Sequence, residues 1–162
     1  MNENDLKDIL IEHSIWIENN LKGKCADLRN ADLRNANLRY ANLQNADLRN
    51  ADLGYANLQN ANLQNADLRN ADLQNADLQN ANLRNANLRN ADLRNADLDF
   101  SSWPLWCGSE NVKIDDKIMA QLINHILAVD HPLVKKLRNL KTLTSISDKH
   151  PASKRMWYQY EY

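Results

Sequence analysis

The sequence predicts an all-β solenoid with helical caps, on three observations. They are a five-residue repeat, an odd period that a straight helix or strand cannot accommodate, and a longer period of four repeats. The motif Ala-(Asp/Asn)-Leu-x-x recurs fifteen times without insertion, starting at residue 26, with its last leucine at residue 98. A fixed period is typical of stacked units that cannot bury their own apolar face alone. The repeat therefore predicts the architecture of the centre of the chain.

The five-residue period excludes the two regular structures. On an α-helix, five residues advance about 500°, so successive leucines rotate by roughly 140° and form no apolar stripe. On a straight strand, an odd period moves the Ala/Leu pair to the opposite face in each successive repeat. If the chain turns a corner once per repeat, every Ala and Leu points to a common axis. This is a coiled β-solenoid.

The longer period gives the number of sides. The residue before each Leu, which is Asp or Asn, matches in nine of eleven pairs four repeats apart and in one of thirteen pairs two repeats apart. Four repeats, or twenty residues, therefore complete one circuit. Residues 26–45, 46–65, 66–85 and 86–105 are predicted to stack as four coils, about 4.8 Å apart as neighbouring strands are.

The Ala-(Asp/Asn)-Leu-x-x run resembles the pentapeptide-repeat family. The resemblance covers 73 of the 162 residues. It implies a right-handed quadrilateral β-helix in which the central Leu and the residue two before it face inward, as the period also requires. The predicted structural core is formed by the leucine of every repeat: Leu28, Leu33, Leu38, Leu43, Leu48, Leu53, Leu58, Leu63, Leu68, Leu73, Leu78, Leu83, Leu88, Leu93 and Leu98.

The fifth position of each repeat is expected to form the corner. It is Asn twelve times, with Tyr40, Tyr55 and Phe100 as exceptions. Asn bonds its own backbone and tolerates the left-handed region, which suits a corner, although both type I and type II turns remain compatible. Stacked columns such as Asn42, Asn62 and Asn82 could also form amide ladders along the axis.

Residues 1–25 are predicted to form an N-terminal capping helix and its lead-in. Residues 4–20 carry apolar side chains at helical spacing, and a solenoid end needs a cover for its unpaired edge. We expect Trp16 to belong to this cap and His13 to pack beside it. The repeat domain is placed at 26–100.

Residues 101–162 are predicted to form a C-terminal cap. Trp103 falls on the inward register and would plug the last coil, and helices are expected at about 115–128 and 131–143. From Leu133 onward, seven Lys or Arg residues precede an aromatic end, Met156–Tyr162. We expect this end to pack on its own chain or on a second subunit, and a homodimer through the C-terminal region is the preferred partner hypothesis.

Composition argues against several functional classes. The net charge is −1, which favours neither nucleic acid nor a membrane surface as partner. The two cysteines, Cys25 and Cys107, have no metal-ligand spacing, and we expect a cytoplasmic protein without a cofactor. No apolar run approaches the length of a membrane span. The sequence contains no recognisable nucleophile–base pair, phosphate loop or metal cluster, so we expect no enzyme.

The outer faces are the remaining surfaces for function. Aspartates at 32, 52, 72 and 92 form one column, which we take as the candidate interaction face, although arginines interleave with it and a solvated charged surface would look the same. The sequence therefore predicts a non-enzymatic scaffold or macromolecular-interaction protein. The family resemblance implies an alternative, a DNA mimic that binds DNA gyrase or a related topoisomerase, as in quinolone resistance.

Overall fold

The computed structural model describes residues 1–102, 112–116 and 118–121. The chain forms two compact units, Met1–Lys113 and Ile114–Tyr162, which are described separately. The first unit contains helix α1, Glu3–Glu18, followed by the repeats. Helix α1 begins one residue before the start of the predicted range 4–20 and ends two residues before the end of that range. Its N-cap is Asn2, whose Oδ1 accepts a hydrogen bond of 2.8 Å from the N–H of Asp5, and its C-cap is Asn19.

The repeats stack at a spacing of twenty residues. Parallel bridges join the second residue of each repeat to its counterpart one coil later, as in Asp27 with Asp47 and Asp47 with Asp67. Two backbone hydrogen bonds flank each bridge. At the bridge between Asp47 and Asp67, Leu48 N–H donates to the Asp67 carbonyl at 2.8 Å and Asp67 N–H donates to the Ala46 carbonyl at 2.9 Å. Four such bridges occur per twenty residues, so each repeat forms one side of a coil.

Every corner has the same backbone conformation. The fifth residue of all fifteen repeats has a φ between 56° and 64°. The following Ala donates its N–H to the preceding Leu carbonyl, as in Ala51 to Leu48 at 3.1 Å, which closes a four-residue turn. A positive φ at the third turn residue alone is the signature of a type II turn. The structure thereby decides the turn type that the sequence leaves open.

The interior of the solenoid consists of the leucine and alanine side chains. All fifteen leucines are at most 2% exposed. Thirteen of the fifteen alanines are also buried, and the two that are half-buried, Ala36 and Ala41, both lie in the first coil. The small Ala lets the backbone approach the axis, and the Leu fills the space between coils.

Amide ladders run along the outside, as the sequence predicted. Asn62 Nδ2 donates to Asn42 Oδ1 at 3.3 Å, and Asn82 Nδ2 donates to Asn62 Oδ1 at 3.1 Å. A second ladder joins corner residues Asn30, Asn50, Asn70 and Asn90 at 3.1 Å per step. The amides inside each ladder, Asn62, Asn50 and Asn70, are thus both donors and acceptors along the axis.

The coil pairing extends beyond residue 100. Ser102 pairs with Asn82, and Lys113 pairs with Asp92 through Leu93 N–H to the Lys113 carbonyl and Lys113 N–H to the Ala91 carbonyl, at 2.9 and 2.8 Å. The spacing from residue 92 to residue 113 is 21, so one extra residue lies in this connection. Sequence reasoning missed Lys113 because the repeat motif is absent there.

Helix α1 packs against part of the first coil. Leu6 is buried and lines a recess with Leu33 and Ala36. The lead-in then returns along the helix, where Lys24 N–H donates to the Glu12 carbonyl at 3.2 Å. Gly23, with a φ of +66°, makes this return possible, because a Cβ there would collide with the Glu12 carbonyl oxygen and the Trp16 nitrogen.

In the second unit, residues 116 and 118–121 are helical. The carbonyl of Asp115 accepts from Met119 N–H at 2.9 Å, and its side chain accepts from Ile118 N–H at 3.0 Å, as an N-cap does. These residues fall within the predicted helix at 115–128. The rest of that helix, the helix at 131–143, Trp103 and the aromatic end lie outside the described residues.

Candidate interaction surface

The second residue of each repeat has a structural role that sequence reasoning missed. In all fifteen repeats, its Oδ1 accepts a hydrogen bond from the N–H of the fourth residue, at 2.9–3.3 Å. Asp and Asn side chains readily accept a hydrogen bond from a backbone N–H two residues later, which explains why either residue serves at this position. Charge at this position is therefore free to vary while the turn is kept.

The first side of the solenoid carries a continuous ion-pair ladder. It includes the Asp27 column, defined as Asp27, Asp47, Asp67 and Asn87. Arg49 binds Asp47 of its own repeat in a bidentate manner, with Nε to Oδ1 at 2.8 Å and Nη2 to Oδ2 at 2.6 Å, and its Nε also lies 3.7 Å from Asp67 Oδ2 in the next coil. Each aspartate of this column is thus paired with an arginine of its own repeat.

The second side carries the Asp32 column, defined as Asp32, Asp52, Asp72 and Asp92, which is the predicted interaction face. Its two ends are neutralised. Arg34 binds Asp32, and Arg94 binds Asp92, each with Nε–Oδ1 at 2.9 Å and Nη2–Oδ2 at 2.6 Å. Lys113 Nζ lies a further 3.9 Å from Asp92 Oδ2.

The centre of the same column lacks these arginines. The fourth residue is Gly54 beside Asp52 and Gln74 beside Asp72. Asp52 accepts from Gly54 N–H at 3.1 Å and lies 3.4 Å from Arg34 Nε of the previous coil. Asp72 accepts from the Gln74 amide at 3.1 Å. The column is therefore a neutralised strip with an acidic centre. Gly54, which is itself buried, has no side chain where the first side has an arginine, and we call this position the Gly54 notch.

The arginine partners lower the pKa values of the paired carboxyls. Hydrogen bonds from Arg29 lower the pKa of Asp27 to about 2. Arg34, Arg49 and Arg94 likewise hold the pKa values of Asp32, Asp47 and Asp92 below the ordinary range. The arginines of these pairs are 36–59% exposed, so water screens the pairs and limits what they contribute to stability.

Aromatic side chains occupy three corners that Asn fills elsewhere. Tyr40, Tyr55 and Phe100 have φ values near 60° and are 63–66% exposed. A bulky residue in this region is strained. Arg39 lies over the Tyr40 ring at 4.5 Å. Tyr55 directly follows the Gly54 notch, so an exposed ring stands in the same repeat as Asp52 and the missing arginine.

Comparisons with known proteins agree with this architecture. The family model for pentapeptide repeats (8 copies) matches residues 26–65 and 61–99. A pentapeptide repeat protein from Nostoc is 36% identical, over 55% of this chain and 84% of that protein, with a TM-score of 0.46. The chain belongs to the pentapeptide-repeat family. Its solenoid is therefore a right-handed β-helix, as the resemblance implied.

Two further solved structures are similar to this pentapeptide-repeat protein. Rfr23 from the cyanobacterium Cyanothece is 40% identical, over 58% of this chain and 63% of that one, with a TM-score of 0.36. A pentapeptide repeat protein from the thylakoid lumen of Arabidopsis thaliana is 26% identical, over 63% of this chain and 77% of that one, with a TM-score of 0.42. No curated protein matches the chain.

Charge is segregated around the β-helix. The second and third sides of residues 26–100 carry seven Asp and three Arg, whereas the first and fourth sides carry three Asp and five Arg. The second and third sides are consecutive along each coil and therefore adjacent. The acidic centre of the Asp32 column thus lies on the acidic half of the surface.

The remaining predicted residues occupy the N-terminal end. Trp16 is half-buried, and its ring stacks on His13 with centroids 5.7 Å apart, as the sequence predicted for this pair. Within the described part of the chain, no three His, Cys, Asp or Glu side chains form a group that could hold a metal ion. No described helix is long and apolar enough to cross a membrane.

Proposed function

We propose that this pentapeptide-repeat protein is a non-enzymatic scaffold that binds a basic macromolecular partner through the centre of the Asp32 column. The observation that carries the proposal is the missing arginine beside Asp52 and Asp72. Every aspartate of the Asp27 column is paired with an arginine of its own repeat. An arginine of a partner could supply the same pairing to Asp52 and Asp72. Because Cys25 is a free thiol, the proposal includes the reducing cytoplasm as the compartment.

The partner chemistry follows from the notch. A guanidinium placed where the side chain of residue 54 would lie could bind Asp52 as Arg49 binds Asp47. Planar, bidentate recognition of a carboxylate favours arginine over lysine. Tyr55 offers an aromatic face beside this position, and the chain already stacks Arg39 on Tyr40 in this manner. The proposed partner therefore exposes at least one arginine.

A matched pair of double variants tests the proposal. Proteins retained by the wild type are first captured from the source organism, identified and purified. Binding of the purified partner is then compared for Asp52→Asn/Asp72→Asn and for Asp47→Asn/Asp67→Asn. Asn preserves the turn-capping oxygen in both, as at Asn57 and Asn62, so each variant keeps the fold and removes two charges from the same coils. We expect only the first variant to weaken binding, by about tenfold or more.

Two results would contradict the proposal. Equal binding by both variants and the wild type would show that the Asp32 column is not the contact. Equal weakening by both would show a response to net charge alone, which a titration with salt would reproduce in all three proteins.

The acidic half of the surface also supports the alternative of a DNA mimic that binds DNA gyrase or a related topoisomerase. Seven aspartates on two adjacent sides give it the sign of charge that a DNA-binding protein recognises. Arg34, Arg39 and Arg94 neutralise part of this charge, which makes it the second candidate. A supercoiling assay with purified gyrase distinguishes the two, since a mimic inhibits the enzyme or protects it from quinolones and a scaffold for another partner does neither.

A homodimer through the C-terminal region is a separate proposal. The sequence of that region ends in a run rich in aromatic residues, Met156–Tyr162, and aromatic residues are enriched at protein interfaces. Light scattering of the full chain and of a chain ending at His150 tests it. A dimer that becomes a monomer on truncation supports the proposal, and a monomer in both cases rejects it.

A further inference from the structure

A buried histidine joins helix α1 to the first repeat. His13 has no exposed surface, and its Nδ1 accepts a hydrogen bond of 3.0 Å from the N–H of Ala26. Ala26 is the first residue of the first repeat, and its N–H is equally buried in this contact. The ring also stacks on Trp16, with an interplanar angle of 12°. The hydrogen bond therefore joins the helix to the point where the β-helix begins, and the stack on Trp16, another residue of α1, orients the ring.

The hydrogen bond fixes the charge state of the ring. Because Nδ1 accepts a hydrogen bond, it carries no hydrogen of its own. His13 is therefore neutral, with its ring hydrogen on Nε2. Nε2 is buried as well, and no residue in the described part of the chain forms a hydrogen bond with it. The Gln44 backbone approaches the ring but does not satisfy this donor. Burial of the neutral ring with an unpaired Nε2–H therefore costs free energy. The site also has no hydrogen-bond acceptor for a second ring hydrogen at Nδ1.

We propose that His13 is a proton-operated latch, in which protonation at Nδ1 breaks the bond from Ala26 N–H and releases α1 from the first coil. The proton comes from solvent and binds the Nδ1 lone pair. The imidazolium then presents an N–H at Nδ1, directly against the N–H of Ala26, and two donors cannot share a hydrogen bond.

Apart from the Gln44 backbone, the surroundings do not stabilise the imidazolium. The charged and titratable groups near the junction are Glu12 on α1, Lys24 and Cys25 in the lead-in, and Asp27 on the first coil. None of them accepts a hydrogen bond from Nε2. Cys25 donates its own hydrogen to the Asn45 carbonyl at 3.3 Å. In agreement with this geometry, burial lowers the pKa of His13 below its ordinary value of 6.5, and the Gln44 backbone offsets only part of that effect.

The sign of the pH dependence follows directly. A histidine whose pKa is lower when α1 is docked than when it is free binds more protons in the free state. Docking is therefore unaffected by pH above about 6.5 and weakens as pH falls below it, by up to tenfold per pH unit for one proton. The dependence ends once the pH falls below the pKa of the docked form.

Release of α1 would expose the outward edge of the first coil. At present Ala26 and Ala31 are buried, whereas Ala36 and Ala41 of the same coil are half-buried. The cover that α1 provides is therefore incomplete at Ala36 and Ala41, and His13 holds it at Ala26. An uncovered edge offers unpaired backbone groups to another chain. The latch would therefore make end-to-end association of two β-helices depend on pH.

Amide hydrogen exchange of the full chain tests the latch. The protection factor of the Ala26 amide, corrected for the intrinsic exchange rate, is measured by NMR between pH 8 and pH 5, with the Ala66 amide inside the solenoid as reference. We expect Ala26 protection to be constant above about pH 6.5 and to fall by up to tenfold per pH unit below it. Protection at Ala66 should not change in the same range.

Two variants separate His13 from the other titrating groups. His13→Asn keeps an oxygen acceptor near the Nδ1 position, and His13→Phe keeps the ring without an acceptor. His125, His131 and His150 remain in both variants. We expect each variant to lose the pH dependence at Ala26. A wild-type Ala26 amide whose protection does not change down to pH 5, or a variant with the wild-type pH dependence, would overturn the proposal.

Discussion

The inside and the outside of each repeat differ in how much they vary. Inside, every repeat has the same Ala and Leu, and every one of these leucines is buried. Outside, the fourth residue is Arg eight times, Gln five times, and Gly and Asp once each. The inward pair is repeated because every coil offers the same space, whereas the fourth residue meets solvent and can differ on each side. The fold therefore depends on the inside, and any selective recognition depends on the outside.

Among the variants that test this difference, Leu68→Ala is expected to have the largest effect on stability. Leu68 is fully buried in the middle of the solenoid, and truncation leaves a cavity between coils that the regular stack cannot close. We expect a loss of about 3–4 kcal/mol in the free energy of unfolding, measured by denaturant titration. Arg69→Ala, at the next residue on the outside, is the matched control and should cost much less, because water screens its pair with Asp67. Similar losses for both would contradict the distinction.

Overpacking tests the inside from the opposite direction. Ala66 is 1% exposed and lies where the backbone is close to the axis. Ala66→Leu adds three carbons to this space, so we expect a loss of about 1–3 kcal/mol by the same titration. If the variant were as stable as the wild type, the interior beside Ala66 would be looser than the burial indicates.

The corners lie between inside and outside and should give an intermediate effect. Asn70 has a φ of 58° and bonds to Asn50 and Asn90 in the amide ladder. Asn70→Ala and Asn70→Gly remove the same side-chain bonds, but only glycine adopts this φ without strain. We expect the Ala variant to lose about 1–2 kcal/mol and the Gly variant less. A Gly variant less stable than the Ala variant would indicate that unfolded-state entropy outweighs the strain.

Sequence reasoning predicted the periodic parts of the molecule and missed the single contacts. The leucine period and the four-repeat recurrence follow from geometry, so the solenoid and its Asn42–Asn62 ladder could be anticipated. The turn-capping role of the second residue was missed because the alternation of Asp and Asn resembles a pattern of surface charge. Lys113 could not be found because it pairs with Asp92 at a position where the repeat motif is absent. The hydrogen bond between His13 and Ala26 depends on how α1 lies on the coil, which no sequence pattern specifies.

The smallest expected change in stability comes from Gly54→Arg, which would make the second side resemble the first. Gly54 has no positive φ, so a side chain is allowed, and its Cβ would lie 3.2 Å from Asp52 Oδ1, a side-chain atom that can move by the few tenths of an ångström required. A bidentate pair with Asp52 would then form, as Arg49 forms with Asp47. We expect a gain of at most about 1 kcal/mol, measured by denaturant titration.

The same variant separates the fold from the proposed function more sharply than any interior change. Gly54→Arg supplies the missing guanidinium from the chain itself, so it should keep the fold and still abolish binding of an arginine-bearing partner. Gly54→Ala adds a Cβ without a charge and serves as the control, with binding close to that of the wild type. If Gly54→Arg bound the partner as well as Gly54→Ala does, the notch would be an irregularity of the repeat, and the contact would have to lie on another side of the solenoid.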